Sequence, residues 1–146
     1  PTLYYGDEAG VCGWTDPDNR RTYPWGFEDF ELIEYHRYLI DLHKKLPALR
    51  RGSLKQLLAD RQLIVYGRMS GENKCAVIIN NRGESRSVRV PVWELGITDE
   101  DAITRMMLSD EKGYNAGHID YRADHGWLTL DVPAHSGVLL SSGALV

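Results

Sequence analysis

With 146 residues, 42% apolar and 26% charged, the chain can bury one ordinary core. It is too short for a complete eight-stranded βα barrel, which takes roughly 200 residues or more. A net charge of −4 and no Lys/Arg run longer than two argue against phosphate-neutralising contact with nucleic acid, and no apolar run approaches the ~18 residues of a membrane span.

Of the fourteen aromatic residues, seven lie within residues 1–30. They are interleaved with the turn formers Gly6, Gly10, Gly13, Pro17, Asn19, Pro24 and Gly26. This predicts a short strand at residues 1–6 followed by a long irregular loop, too aromatic to be disordered. The opening run lacks an initiator Met and reads as the middle of a strand, so the sequence is expected to be a piece of a longer protein. A helix is expected over residues 28–46. Leu32, Tyr35, Leu39, Leu42 and Leu46 form one apolar stripe, which Phe30, Ile33 and Ile40 widen. Pro47 ends it.

From residue 53 onward the period changes to that of strands. Candidates lie at 54–59, 63–69, 74–80, 87–92, 104–108, 127–132 and 137–141. Ser70-Gly71-Glu72-Asn73 and Asn81-Arg82-Gly83-Glu84 read as hairpin turns. Val88, Val90 and Val92 alternate with Ser87, Arg89 and Pro91, and Leu128, Leu130 and Val132 with Trp127, Thr129 and Asp131, the pattern of antiparallel sheets packed as a sandwich. The expected fold is therefore mainly β, an antiparallel β-sandwich over residues 53–146 behind a different segment over residues 1–52.

Chemistry is sparse. Asp7 and Glu8 are adjacent, so on a continuing strand their side chains would point to opposite faces and could not act on one bond. The five histidines and two cysteines show no metal-ligand spacing, and neither a nucleophile elbow nor a phosphate loop occurs, so no cofactor or metal is expected. Cys12 and Cys75, read as unpaired thiols, fit a reducing, cytoplasmic setting. What remains is the run from Trp14 to Trp25, which holds Asp16, Asp18, Arg20, Arg21 and Tyr23. One reading is an Asx turn with solvated ion pairs. The other is sugar recognition, with C–H faces stacked on aromatic rings and hydroxyls held by carboxylate and guanidinium groups.

The run from Pro1-Thr2-Leu3-Tyr4-Tyr5-Gly6-Asp7-Glu8-Ala9-Gly10 through Asp16-Pro17-Asp18-Asn19-Arg20-Arg21 to Trp25 resembles the end of the catalytic barrel in the α-amylase superfamily, glycoside hydrolase family 13. It looks most like the cyclomaltodextrinase, neopullulanase and maltogenic amylase branch. Tyr38-Leu39-Ile40-Asp41-Leu42 and Leu46-Pro47-Ala48-Leu49-Arg50-Arg51-Gly52 resemble that family's last barrel helix. At Asp41-Leu42-His43-Lys44 many relatives carry an Arg. The resemblance implies that residues 1–52 are the last strand, loop and helix of a (β/α)8 barrel, and residues 53–146 the C-terminal β-sandwich domain. It places Asp16 and Arg20 at a sugar subsite and matches Asp7 and Glu8 to non-catalytic positions. The three catalytic carboxylates belong to earlier strands, so the expected catalytic set here is empty and the fragment inactive by itself. The implied partner is an α-glucan oligosaccharide with α-1,4 linkages, and α-1,6 linkages in addition are compatible with the resemblance. An apolar helix stripe and an unpaired strand without barrel neighbours also predict a homo-oligomer. Two other readings stand beside this one. The first is a non-catalytic carbohydrate-binding sandwich with Trp93 and Trp127 as stacking platforms, and the second is a purely structural domain.

Overall fold

The computed structural model describes residues 1–71 and 73–143. The chain divides into two compact units, Pro1–His43 and Lys44–Val146.

In the first unit, two single-turn 3-10 helices, Asp7–Ala9 and Asp18–Arg20, precede α1, Phe30–Lys45, which runs on past the unit's end. Asp29 starts α1 in the manner of an N-cap: its Oδ1 accepts the Leu32 N–H at 2.9 Å. The expected stripe is present but graded. Leu42 is buried and Leu32, Tyr35 and Leu39 are half-buried, whereas Phe30 and Ile40 stay exposed. The expected strand at residues 1–6 is absent. A strand exists only through ladder bonds to a neighbour, and no described residue provides them there.

The second unit begins with α2, Pro47–Arg51, with Pro47 in the first helical turn, where its missing N–H costs nothing. Strands β1 Ser53–Ala59, β2 Leu63–Ser70, β3 Asn73–Asn80, β4 Arg86–Val90, β5 Ile103–Asp110, β6 Gly113–Asn115, β7 Ile119–Tyr121, β8 Leu128–Val132 and β9 Ser136–Ser142 follow. Among the described residues the larger sheet has the order β1-β2-β3-β9-β5-β6, with β7 also on β5, and β4 pairs with β8 in a separate two-stranded sheet. Every pairing is antiparallel.

The alternation sorts the side chains as expected. Val88, Val90, Leu128, Leu130 and Val132 turn inward onto Val65, Ala76, Ile78, Val138 and Leu140, while Ser87, Arg89, Thr129 and Asp131 face out. The protein is thus mainly β, with an antiparallel sandwich as its core. α2 is tied to this sandwich through buried Asn73. The Asn73 Oδ1 accepts the Ala48 N–H at 3.0 Å, and its Nδ2 donates to the Ser141 Oγ at 3.2 Å.

Of the two expected hairpin turns, the first joins β2 to β3 with Ser70 opposite Asn73 and Gly71 at φ +56°; Glu72 lies outside the described residues. The second, Asn81-Arg82-Gly83-Glu84, is not a hairpin. It carries the chain from the large sheet to the small one, since β3 pairs with β2 and β9 and β4 pairs with β8. Buried Asn80 stabilises that crossing: its Nδ2 donates to the Pro133 carbonyl at 2.7 Å and the Glu84 carbonyl at 3.1 Å.

Candidate functional site

The loop of the first unit is built from its glycines and carboxylates. Gly6 sits at φ +88°, and a Cβ there would lie 2.9 Å from Val11 Cγ2, so only glycine fits. The Gly6 carbonyl accepts the Val11 N–H at 3.0 Å, closing the turn. Glu8 serves this turn: its Oε2 accepts the Gly6 N–H at 3.0 Å. Asp7 and Glu8 therefore lie on a 3-10 turn and not on a continuing strand, with Glu8 in a structural role and Asp7 exposed.

Further along, the loop folds back on itself. A Cβ on Gly13 would meet the Asn19 Cα and the Asp18 carbonyl at 2.8 Å. Asp18 is the organiser. One carboxylate oxygen accepts the Trp14 N–H at 3.0 Å, and the other takes Arg21 Nε at 2.8 Å and Nη2 at 2.6 Å. The Arg21 guanidinium accordingly holds the Asp18 carboxyl below the usual carboxylate range, with the Trp14 N–H adding to the effect. The Tyr5 hydroxyl donates to the Arg21 carbonyl at 2.9 Å, fixing the far side of the loop.

Asp16 and Arg20 are left over from this framework. Their side chains meet at 3.4 Å and are 70% and 66% exposed. Among the described residues, each is the other's hydrogen-bonding or ion-pair partner. A carboxylate acceptor and a guanidinium donor thus stand together in solvent, on a loop whose shape other residues set. Trp14 and Trp25 are exposed in the same loop, and the Tyr23 and Trp25 rings lie 4.6 Å apart. Sequence reasoning missed the framework roles of Tyr5 and Asp18. The only signal available was the i, i+3 spacing of Asp18 and Arg21, which is indistinguishable from the i, i+4 spacing of the presented pair.

On the sandwich, Trp127 is half-buried with the Arg89 guanidinium 4.4 Å over its ring. Trp93 lies in a 3-10 turn, Val92–Leu95, and is 56% exposed. Among the described residues no cluster of three His, Cys, Asp or Glu side chains is arranged to hold a metal ion. Cys12 is exposed and Cys75 buried, both free, and burial pushes the Cys75 thiol up to about 11.

No protein-family model matches the chain. An amylopullulanase of Thermoanaerobacterium thermosulfurigenes is 31% identical over 96% of this chain and 8% of its own length. Neopullulanase 2 of Thermoactinomyces vulgaris is 39% identical over 66% of this chain and 17% of its own length. The structure of a debranching enzyme from Nostoc punctiforme superposes with a TM-score of 0.73 at 30% identity, over 99% of this chain and 28% of that one. The fold and these relatives together point to one family of glycoside hydrolases as what this chain is similar to. The chain belongs to the α-amylase superfamily, glycoside hydrolase family 13. It spans 8% and 17% of the length of the two curated relatives.

Proposed function

We propose that the chain is part of a retaining α-glucan hydrolase, with Asp16 and Arg20 as hydrogen-bonding groups of one glucosyl subsite and the sandwich as scaffold. The observation that carries the reading is the division of labour in the loop. Asp18, Arg21, Tyr5 and Glu8 hold the backbone, which leaves an exposed acid–base pair with nothing structural to do. Paired charges of this kind suit the alternating acceptor and donor hydroxyls of a sugar. Hydrolysis with retention would rest on two other carboxylates about 5 Å apart, so no bond-making role falls to Asp7, Glu8 or Asp16. Maltodextrin, cyclodextrin and pullulan are the proposed substrates, and the free Cys12 thiol fits a cytoplasmic setting.

The test is kinetic. In the hydrolase carrying this loop, Asp16→Ala and Arg20→Ala each remove a charged hydrogen-bond partner worth roughly 1.5–3 kcal/mol. The expected fall in kcat/KM on maltotriose and cyclodextrin is about ten- to a hundredfold, with the melting temperature unchanged. Wild-type kinetics in both variants would remove the pair from the site.

A further inference from the structure

The exposed indole of Trp93 is not a loose surface side chain. Its backbone N–H donates to the Gly126 carbonyl at 3.0 Å. Its Cβ and Cδ1 lie against Gly126 so closely that a Cβ on that glycine would sit 2.8 and 3.2 Å from them. Gly126 belongs to a two-residue turn closed by reciprocal bonds between Asp124 and Trp127, at 2.8 and 3.0 Å. His125 and Gly126 have φ of +50° and +81°, the left-handed pair of a type I′ turn. Asp99 locks the turn from outside, its two oxygens accepting the His125 N–H at 2.9 Å and the Gly126 N–H at 2.7 Å. The ring is therefore seated on a backbone surface that is itself pinned.

The flanks of this ring are polar. Asp124 and His125 carry side chains that are each 92% exposed and bonded to one another at 2.8 Å, and the next residue, Glu94, pairs with Lys55 at 2.8 Å. A protein hot spot would need an apolar, water-excluding surround, which this tip lacks. Glu94, Asp99 and Asp124 outnumber the basic side chains Lys55 and His125 there, which disfavours anions. A neutral ligand with a flat C–H face and peripheral hydroxyls meets both demands, the face on the ring and the hydroxyls on Asp124 and His125. Holding the ring beforehand lowers the ordering cost of binding.

We propose that Trp93, on the turn of His125 and Gly126, is a stacking site for an α-glucan oligosaccharide on the sandwich. The choice of glucan rests on the function proposed above; the stacking site itself rests on the geometry.

Indole N–H resonances of the 146-residue chain, titrated with maltohexaose, test it. The Trp93 resonance should shift saturably. Trp93→Ala should weaken binding at least about tenfold, Trp93→Tyr should keep most of it, and Asp16→Ala should leave the Trp93 titration unchanged. A Trp93 resonance indifferent to millimolar maltohexaose, or equal affinity in the folded Trp93→Ala variant, would overturn the site. Equal binding of cellohexaose would overturn its α-glucan assignment, while the Asp16 and Arg20 kinetics report separately on the subsite reading.

Discussion

Asp60 gathers hydrogen bonds from two parts of the sandwich. Its Oδ1 accepts the Gln62 and Leu63 N–H groups, each at 2.8 Å, shaping the turn between β1 and β2. Its Oδ2 takes Arg82 at 3.0 Å and also Arg86, the first in the crossing between sheets and the second at the start of β4. These donors, led by the Gln62 N–H, hold the Asp60 carboxyl far below the usual carboxylate range. The unfolded chain, with an Asp pKa of about 3.9, therefore binds more protons than the folded one in acid, and this contribution rises with pH. It is complete above the unfolded pKa and fades as pH falls below it. Asp60→Asn should lower Tm at neutral pH, and the gap to wild type should close as the pH drops below about 4. Thermal melts of the two proteins across that range are the check; a gap of constant size would mean that the carboxylate charge contributes nothing. Nothing in the sequence singles Asp60 out from the other acids. Its arginines are 22 and 26 positions away, and only the crossing from β3 to β4 brings them to it.

The elements themselves were more legible than their partners. Each strand whose apolar residues alternate over five or more positions was readable, because burial on one face leaves a period of two in the sequence. β6 and β7 were not, since three residues each, mostly exposed, carry no period. The turn at Asn81-Arg82-Gly83-Glu84 was readable as a turn and misread as a hairpin, because local turn chemistry does not record where the next strand finds its partner. Gly67 shows the same limit from the packing side. In the middle of β2 it reads as a weak spot, yet it is where Leu95, from the 3-10 turn Val92–Leu95, inserts: a Cβ on Gly67 would lie 2.1 Å from Leu95 Cδ2. Gly67→Ala should cost about 1–3 kcal/mol by overpacking. The same change in a Leu95→Ala background should cost clearly less, since the intruding methyl is gone. Urea unfolding of the four proteins in this cycle measures the coupling, and additive costs would show that the strand tolerates the methyl without help from Leu95.

At the scale of the whole chain, apolar surface is unevenly distributed. The sandwich leaves Leu54, Ile64, Ile79, Trp93, Tyr114 and Ile119 exposed around a well-filled core, whereas the smaller first unit exposes Leu3, Tyr4, Tyr5, Trp14, Trp25, Phe27, Phe30 and Ile40. The stripe on α1, expected from the sequence to be the adhesive surface, is partly withdrawn: Leu42 is only 3% exposed, whereas Phe27 and Phe30 are 89% and 68% exposed. Soluble monomers rarely present contiguous apolar patches beyond a few hundred Å². We therefore expect the 146-residue chain to self-associate at micromolar concentration, through Phe27 and Phe30 rather than through Leu39 and Leu42. A symmetric dimer would bury the same patch on both copies. Sedimentation velocity separates the alternatives. Phe27→Glu with Phe30→Glu should return a monomer with unchanged strand content by circular dichroism. Leu39→Glu, at a half-buried position, should lower stability before it disperses anything, because a charge there loses water without gaining a partner. A wild-type chain that sediments as a monomer at high micromolar concentration would show that these aromatic side chains are tolerated in water. Dispersal by Leu39→Glu with the fold intact would return the interface to the α1 stripe.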